Sequence, residues 1–159
     1  MKLQIIKIGK PAHSAYSELV DVYSKRLRPI WKIDEIILKA QSHQERAGRD
    51  IYARIGWNAQ GQRQDPQHIV VTLDERGRSL SSPAFARYMQ DRMMESAKTL
   101  SIIIGGPYGL NEELRQGSDL VWSLSPAVFP SDMAWLLVWE QLYRVSTIMR
   151  GTSYHHDGD

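Results

Sequence analysis

Two five-residue runs, Ile69-Val70-Val71-Thr72-Leu73 and Leu100-Ser101-Ile102-Ile103-Ile104, constrain this chain most. Neither alternates with charge, so a strand built from either presents apolar side chains on both faces. Such strands need cover on both sides, which is the condition of a parallel sheet flanked by helices. The rest of the chain fits that frame. Leu3 to Ile8 reads as a first strand closed by Gly9, Trp31 to Leu38 as a charged strand near an edge, and Leu120 to Leu124 as a fifth. Helical periodicity lies between them. Ala12, Tyr16, Leu19, Val20, Tyr23 and Leu27 mark one face of a helix that stops before Pro29, and Ala47, Ile51 and Ile55 mark a second. Ser82 reads as a cap with Pro83 in the first turn, before an apolar face of Phe85, Tyr88, Met89 and Met93. Asn111 caps a short helix ended by Gly117, and Met133 to Met149 forms the last helix. The pattern predicts an α/β fold with a mainly parallel sheet, as one domain over residues 1–159.

Composition removes whole classes of chemistry. There is no cysteine among the 159 residues, so disulfides, thiolate nucleophiles, zinc–cysteine sites and iron–sulfur clusters are excluded. Hydrophobic residues at 42% are enough to build a packed core. The longest apolar run, Met133 to Trp139, is far short of the ~20 residues of a membrane span. The opening Met1 to Lys7 is too short in apolar residues for a secretory signal, so a soluble cytoplasmic protein is expected. A net charge of +2 permits nucleic-acid binding without announcing it.

Ligands of open α/β sheets gather beyond the carboxyl ends of the strands, and three unusual loops fall there. Leu73-Asp74-Glu75-Arg76-Gly77 is a charged turn that ends an apolar strand abruptly. Ile104-Gly105-Gly106-Pro107-Tyr108-Gly109-Leu110 has three glycines, which allow close backbone approach to a ligand or positive φ. Pro107 stands where a dinucleotide fingerprint needs its second glycine, and no Lys-Ser/Thr ending marks a phosphate loop. Leu124-Ser125-Pro126-Ala127-Val128-Phe129-Pro130 is a stiff apolar segment suited to a wall against a flat ring such as adenine. Taken alone, the first loop reads better as a solvated turn, and the other two read equally well as connectors.

The three loops in this order, followed by Glu140-Gln141-Leu142-Tyr143-Arg144 and the tail Tyr154-His155, form a specific constellation. Together with the opening Lys2-Leu3-Gln4-Ile5 and Ile8-Gly9-Lys10, it resembles the RlmH family across essentially the whole chain. These are small SPOUT-class methyltransferases that modify N3 of a pseudouridine in 23S ribosomal RNA. The resemblance implies a C-terminal trefoil knot, S-adenosylmethionine as cofactor, a homodimer, and the large ribosomal subunit or its RNA as partner. By position it places cofactor contacts at Leu73, Gly105, Leu124, Ser125, Pro126, Ala127, Val128 and Phe129. Catalytic or orienting roles fall on His155, Tyr154, Arg144 and Tyr143, with no metal. All four are candidate bases or orienting groups, and His155 among them has the ordinary pKa range suited to a base.

The chain departs from the family at the start of the last helix. Members read Phe-Pro-His-x-x-x-Arg, whereas Phe129-Pro130 is followed here by Ser131 and, four residues later, Trp135. Ser131 to Trp135 is expected to border the cofactor pocket, where a histidine and an arginine would offer cationic contacts to RNA. Two alternatives follow. One is a SPOUT-fold protein that binds cofactor and RNA or a partner without efficient methyl transfer; the other is an unrelated nucleotide-binding α/β protein. Arg76 and Arg78 are candidates for RNA phosphate contacts, and His13, His43 and His68 read as solvated.

Overall fold

In the computed structural model, residues 1–40 and 50–154 are described. The apolar runs form a five-stranded sheet from Lys2–Ile8 (β1), Ile33–Leu38 (β2), His68–Ser79 (β3), Thr99–Ile104 (β4) and Leu120–Ser123 (β5). Their order is β2-β1-β4-β3-β5, and every pairing is parallel. The two uncharged runs, in β3 and β4, take inner positions beside β1, and β2, carrying Asp34 and Glu35, takes an edge. The sequence grammar and the topology agree here.

Both faces of the sheet are covered, as parallel strands require. On one face Leu3, Ile5, Val71, Leu100 and Ile102 pack with Ser14–Leu27 (α1), Ser82–Met94 (α2) and Ser131–Arg150 (α4). On the other, Ile6, Ile8, Val70 and Ile103 meet Ile51, Tyr52, Ile55 and Trp57, with Leu114 of the short Glu112–Gly117 helix (α3). Ile51 and Ile55 are buried as their periodicity predicts; Ala47 and His43 lie outside the described residues.

Two local details differ from the sequence reading. The cap of α2 is Ser81, whose extended backbone lets its hydroxyl accept from the Ala84 N–H. That frees the Ser82 hydroxyl to donate to Gln141 of α4 at 2.7 Å. The charged turn also does not end β3. Leu73 pairs with Trp122, the chain loops out through Asp74–Gly77, and pairing with β5 resumes at Arg78 and Ser79. Asn111 caps α3 as expected, accepting from the Leu114 N–H at 3.0 Å.

Helix α4 spends most of its apolar surface on its own domain. Trp135, Val138, Trp139, Leu142 and Val145 are buried against the sheet and α1. Met133 is 38% exposed, and Leu136, Leu137, Ile148 and Met149 are only half-buried. Of these, Leu136, Ile148 and Met149 still pack against the margin of the core.

Candidate functional site

The three loops singled out in the sequence converge. Beyond the carboxyl ends of β3, β4 and β5 they enclose a cleft of about 900 Å³. Its walls include Leu73, Ile104, Leu110, Trp122, Leu124, Val128 and Phe129, with backbone from the Gly105–Gly109 turn. Of the eight residues expected to meet a cofactor, Leu73, Gly105, Leu124, Ser125, Ala127, Val128 and Phe129 line it; Pro126 does not. A volume of this size, with apolar walls from Leu73, Leu124, Val128 and Phe129 and polar groups from Asp74, Arg76, Arg115 and Ser131, is that of a small-molecule site.

Each wall is stiffened locally. Gly106 accepts from the Gly109 N–H at 3.0 Å, and Gly109 sits at φ 72°, a conformation costly for any other residue. Gly105 has a different reason. A Cβ there would stand 3.0 Å from the Gly109 carbonyl carbon, so the close approach this glycine permits is to its own loop. In the third loop the Ser125 carbonyl accepts from the Ser123 hydroxyl, and the Ser125 hydroxyl from the Ala127 N–H. Tyr108 and Val128, 72% and 76% exposed, stand at the mouth.

The charged turn folds over the rim. The Asp74 carboxylate accepts from the Arg76 backbone and guanidinium and from Arg115 of α3 at 2.8 Å. Arg115 pairs with Glu112 as well. Arg76 lies at the cleft edge, 67% exposed, with its guanidinium paired to an Asp74 carboxylate that Arg115 shares. Composition gave no sign of Arg115; it enters through the fold, because α3 follows the glycine loop directly.

The start of α4 is a second surprise. Ser131 and Ala134 border the cleft, but Trp135 does not. Ser131 donates its hydroxyl to the Gly105 carbonyl at 2.6 Å, tying the helix to the glycine loop. Trp135 is buried at 2% exposure, donates Nε1–H to Glu35, and has Lys7 Nζ 5.9 Å from its ring centre. Lys7 is itself buried at 1% and donates to the Gly9 carbonyl at 2.8 Å while pairing with Asp132 at 2.8 Å. Trp135 thus does not border the pocket, contrary to expectation, and an arginine in its place would set a second cation beside Lys7. A buried cation already occupies that corner.

Burial pushes the Asp132 carboxyl upward. Hydrogen bonds from Lys7 and the Ala12 N–H, with the charges of Lys7 and His13, outweigh it and hold the group below the usual carboxylate range.

Tyr143, Arg144 and Tyr154 assemble elsewhere. Tyr143 lies twelve residues beyond Ser131, about 18 Å of helix rise, and none of the three lines the cleft of its own chain. The Tyr143 and Tyr154 rings meet edge-on at 4.7 Å, and the Arg144 guanidinium stands 5.0 Å over Tyr154. Glu140 accepts from Arg144 at 2.6 Å. Burial, with Tyr23 and Glu140 beside it, pushes the Tyr154 phenol up to about 12, so it keeps its proton at neutral pH. His155 lies outside the described residues. Among the described residues no cluster of His, Asp and Glu has the makings of a metal site, and no helix is long and apolar enough to cross a membrane. His68 is buried rather than solvated: its Nε2 lies 2.7 Å from the Ser101 hydroxyl, which donates to Gln4.

Comparison with known proteins places these features in a family. The family model described as "Predicted SPOUT methyltransferase" matches residues 1–155. The Ribosomal RNA large subunit methyltransferase H of Maridesulfovibrio salexigens is 31% identical over 162 aligned positions, covering 98% of each chain. The protein of the same name from Christiangramia forsetii is 35% identical over 165, covering 98% of this chain and 99% of its own. That from Gemmatimonas aurantiaca is 31% identical over 159, with 98% and 99% coverage.

Proposed function

This chain belongs to the SPOUT methyltransferase family, and from that membership we propose that it methylates N3 of a pseudouridine in 23S ribosomal RNA, using S-adenosylmethionine. The observation that carries the reading is the cleft: three adjacent strand ends, a closed glycine turn and a stiff apolar loop converge on one space. The fit to the cofactor is chemical. Its adenine ring is flat and uncharged, with donors and acceptors at the ring edges, while the sulfonium and amino-acid end carry the charge. Leu73, Leu124, Val128 and Phe129 offer apolar wall, and the Gly105–Gly109 turn offers backbone groups at close range. The bound cofactor supplies an electrophilic methyl group on a sulfonium sulfur.

The protein's work is then alignment and proton removal. Ser131, by holding the Gly105 carbonyl, fixes the glycine turn against the first turn of α4. His155 takes the N3 proton of the target base. Tyr154, protonated, donates a hydrogen bond, and Arg144 orients the base while Glu140 holds its guanidinium. Glu140 and Arg144 stand far along α4 from the cleft of their own chain, so this group serves the cleft of a second copy. The protein works as a homodimer in the cytoplasm, joined along the half-buried stripe of α4, with its C-terminal segment passing through a trefoil knot.

The reading of an inactive relative rested on Ser131 and Trp135. Ser131 is bound to the glycine loop and Trp135 to Glu35 and the Lys7 corner, so both have packing roles that leave the cleft intact. Titration calorimetry with S-adenosylmethionine tests the cofactor site. Saturable binding to the full-length protein is expected. Absence of binding to folded protein would remove the cleft from the mechanism.

A further inference from the structure

We propose that Tyr23 and Arg26 of α1 belong to the RNA-binding surface, and that Arg26 supplies its working positive charge. This rests on the reading of the protein as an RNA methyltransferase and extends it to a helix that no motif singled out. Tyr23 packs against Tyr143 with ring centres 6.1 Å apart, and the Arg26 guanidinium stands 5.4 Å over the same Tyr143 ring. Tyr143 meets Tyr154, over which Arg144 stands in turn. The result is a patch of three tyrosines interleaved with two guanidiniums, drawn from α1, α4 and the tail. Aromatic rings and arginine planes side by side are the chemistry by which proteins hold unstacked RNA bases and their phosphates.

The charges in this patch are unequal. Arg144 is only partly exposed and both its Nε and a terminal nitrogen donate to Glu140, so its charge is largely spent within the protein. On the last turn of α1, Lys25 pairs with Asp21 at 2.6 Å, and Arg28 donates to the Ser24 hydroxyl. Arg26 is exposed, and among the described residues no carboxylate lies within ion-pair distance of it. An anion approaching the patch therefore meets Arg26 as the guanidinium that no carboxylate pairs among the described residues. Its position over Tyr143 restricts the side chain, which reduces the ordering cost when RNA binds.

The test uses full-length protein, purified large ribosomal subunits lacking the modification, and three measurements: subunit binding across a salt series, steady-state methyl transfer, and light-scattering mass. Arg26→Ala is expected to raise Kd and KM for the subunits about tenfold, with kcat changed less than KM, and to flatten the salt dependence by about one phosphate contact. Affinity for S-adenosylmethionine and the mass should not change. Arg26→Lys should recover the salt dependence but only part of the affinity, because lysine keeps the charge and loses the planar face. Unchanged Kd and salt dependence in Arg26→Ala would overturn the proposal. So would a fall in mass, which would assign Arg26 to subunit contacts. If the natural protein binds the subunits but transfers no methyl group, the parent reading fails, while the binding arm still decides the role of Arg26.

Discussion

Replacing Asp132 by asparagine should separate the charge of the α4 anchor from its shape. Asparagine keeps the volume and an acceptor for the Ala12 N–H, which Asp132 holds at 2.8 Å. It removes the one carboxylate found 2.8 Å from the buried Lys7 ammonium, leaving the Gly9 carbonyl and the Trp135 ring as its neighbours. At that separation the pair's attraction is about 6 kcal/mol for an effective dielectric constant of ~20. Desolvation offsets part of this. Breaking a buried pair from one side costs roughly 3–5 kcal/mol, and the retained amide oxygen places Asp132→Asn near the lower end. For a chain of this length about 3 kcal/mol corresponds to a fall in Tm of roughly 6–12 °C. Chemical denaturation with unchanged m-value is the assay. The double variant Lys7→Met with Asp132→Asn should regain most of the loss, because no buried charge remains without a partner. The pH dependence has a definite sign. The folded carboxyl titrates below its unfolded value of ~3.9, so its contribution is complete above that pH and disappears as pH falls through the folded value. Asp132→Asn should lack that part of the acid limb. A single variant within 1 kcal/mol of the natural protein, or a double variant less stable than the single, would refute the reasoning.

Glycine substitutions should separate steric from conformational need. A Cβ on Gly77 would stand 2.5 Å from the Val121 carbonyl oxygen, so Gly77→Ala must push β5 away from the β3 loop and cost about 3 kcal/mol by urea denaturation. Gly109 has open space around it but φ of 72°, so Gly109→Ala should cost only about 1 kcal/mol. Burial lowers the His68 pKa, with Asp65 and Asp119 opposing, so the folded state favours neutral imidazole. Its contribution is present above the unfolded value of ~6.5 and is lost as pH falls below it; denaturation midpoints between pH 7.5 and 5 should decline less in His68→Gln. Light scattering should return the mass of a dimer, and Leu137→Glu, on the half-buried stripe of α4, should shift it toward monomer.

The parts of the fold carried by local pattern were legible in the sequence. Uncharged runs announced inner parallel strands, Asn111 announced its helix, and glycine and proline spacing marked the cleft loops. What escaped depends on residues distant in the chain. Lys7 shares the strand face of Leu3 and Ile5, and nothing near it in the chain marks a partner; Asp132 and Trp135 come from the far end of the sequence. His68 reads as a loop residue until β4 brings Ser101 beside it. The resumption of β3 after Gly77 is a pairing property, invisible where charge interrupts an apolar run. Arg26 has the look of any exposed arginine in a last helical turn, and only the packing of α1 on α4 sets it over Tyr143. Motif matching found the residues around the cleft; the supporting contacts required three dimensions.

The central claim is methyl transfer to large-subunit RNA, and the most direct measurement uses labelled S-adenosylmethionine. Purified protein would be incubated with ribosomes from cells lacking the modification, and the labelled RNA digested and mapped. The account predicts label in 23S RNA alone, on N3 of a single pseudouridine, lost when Arg144 is replaced by alanine. Saturable cofactor binding with no label in ribosomal RNA, or label spread over unrelated RNA, would contradict it.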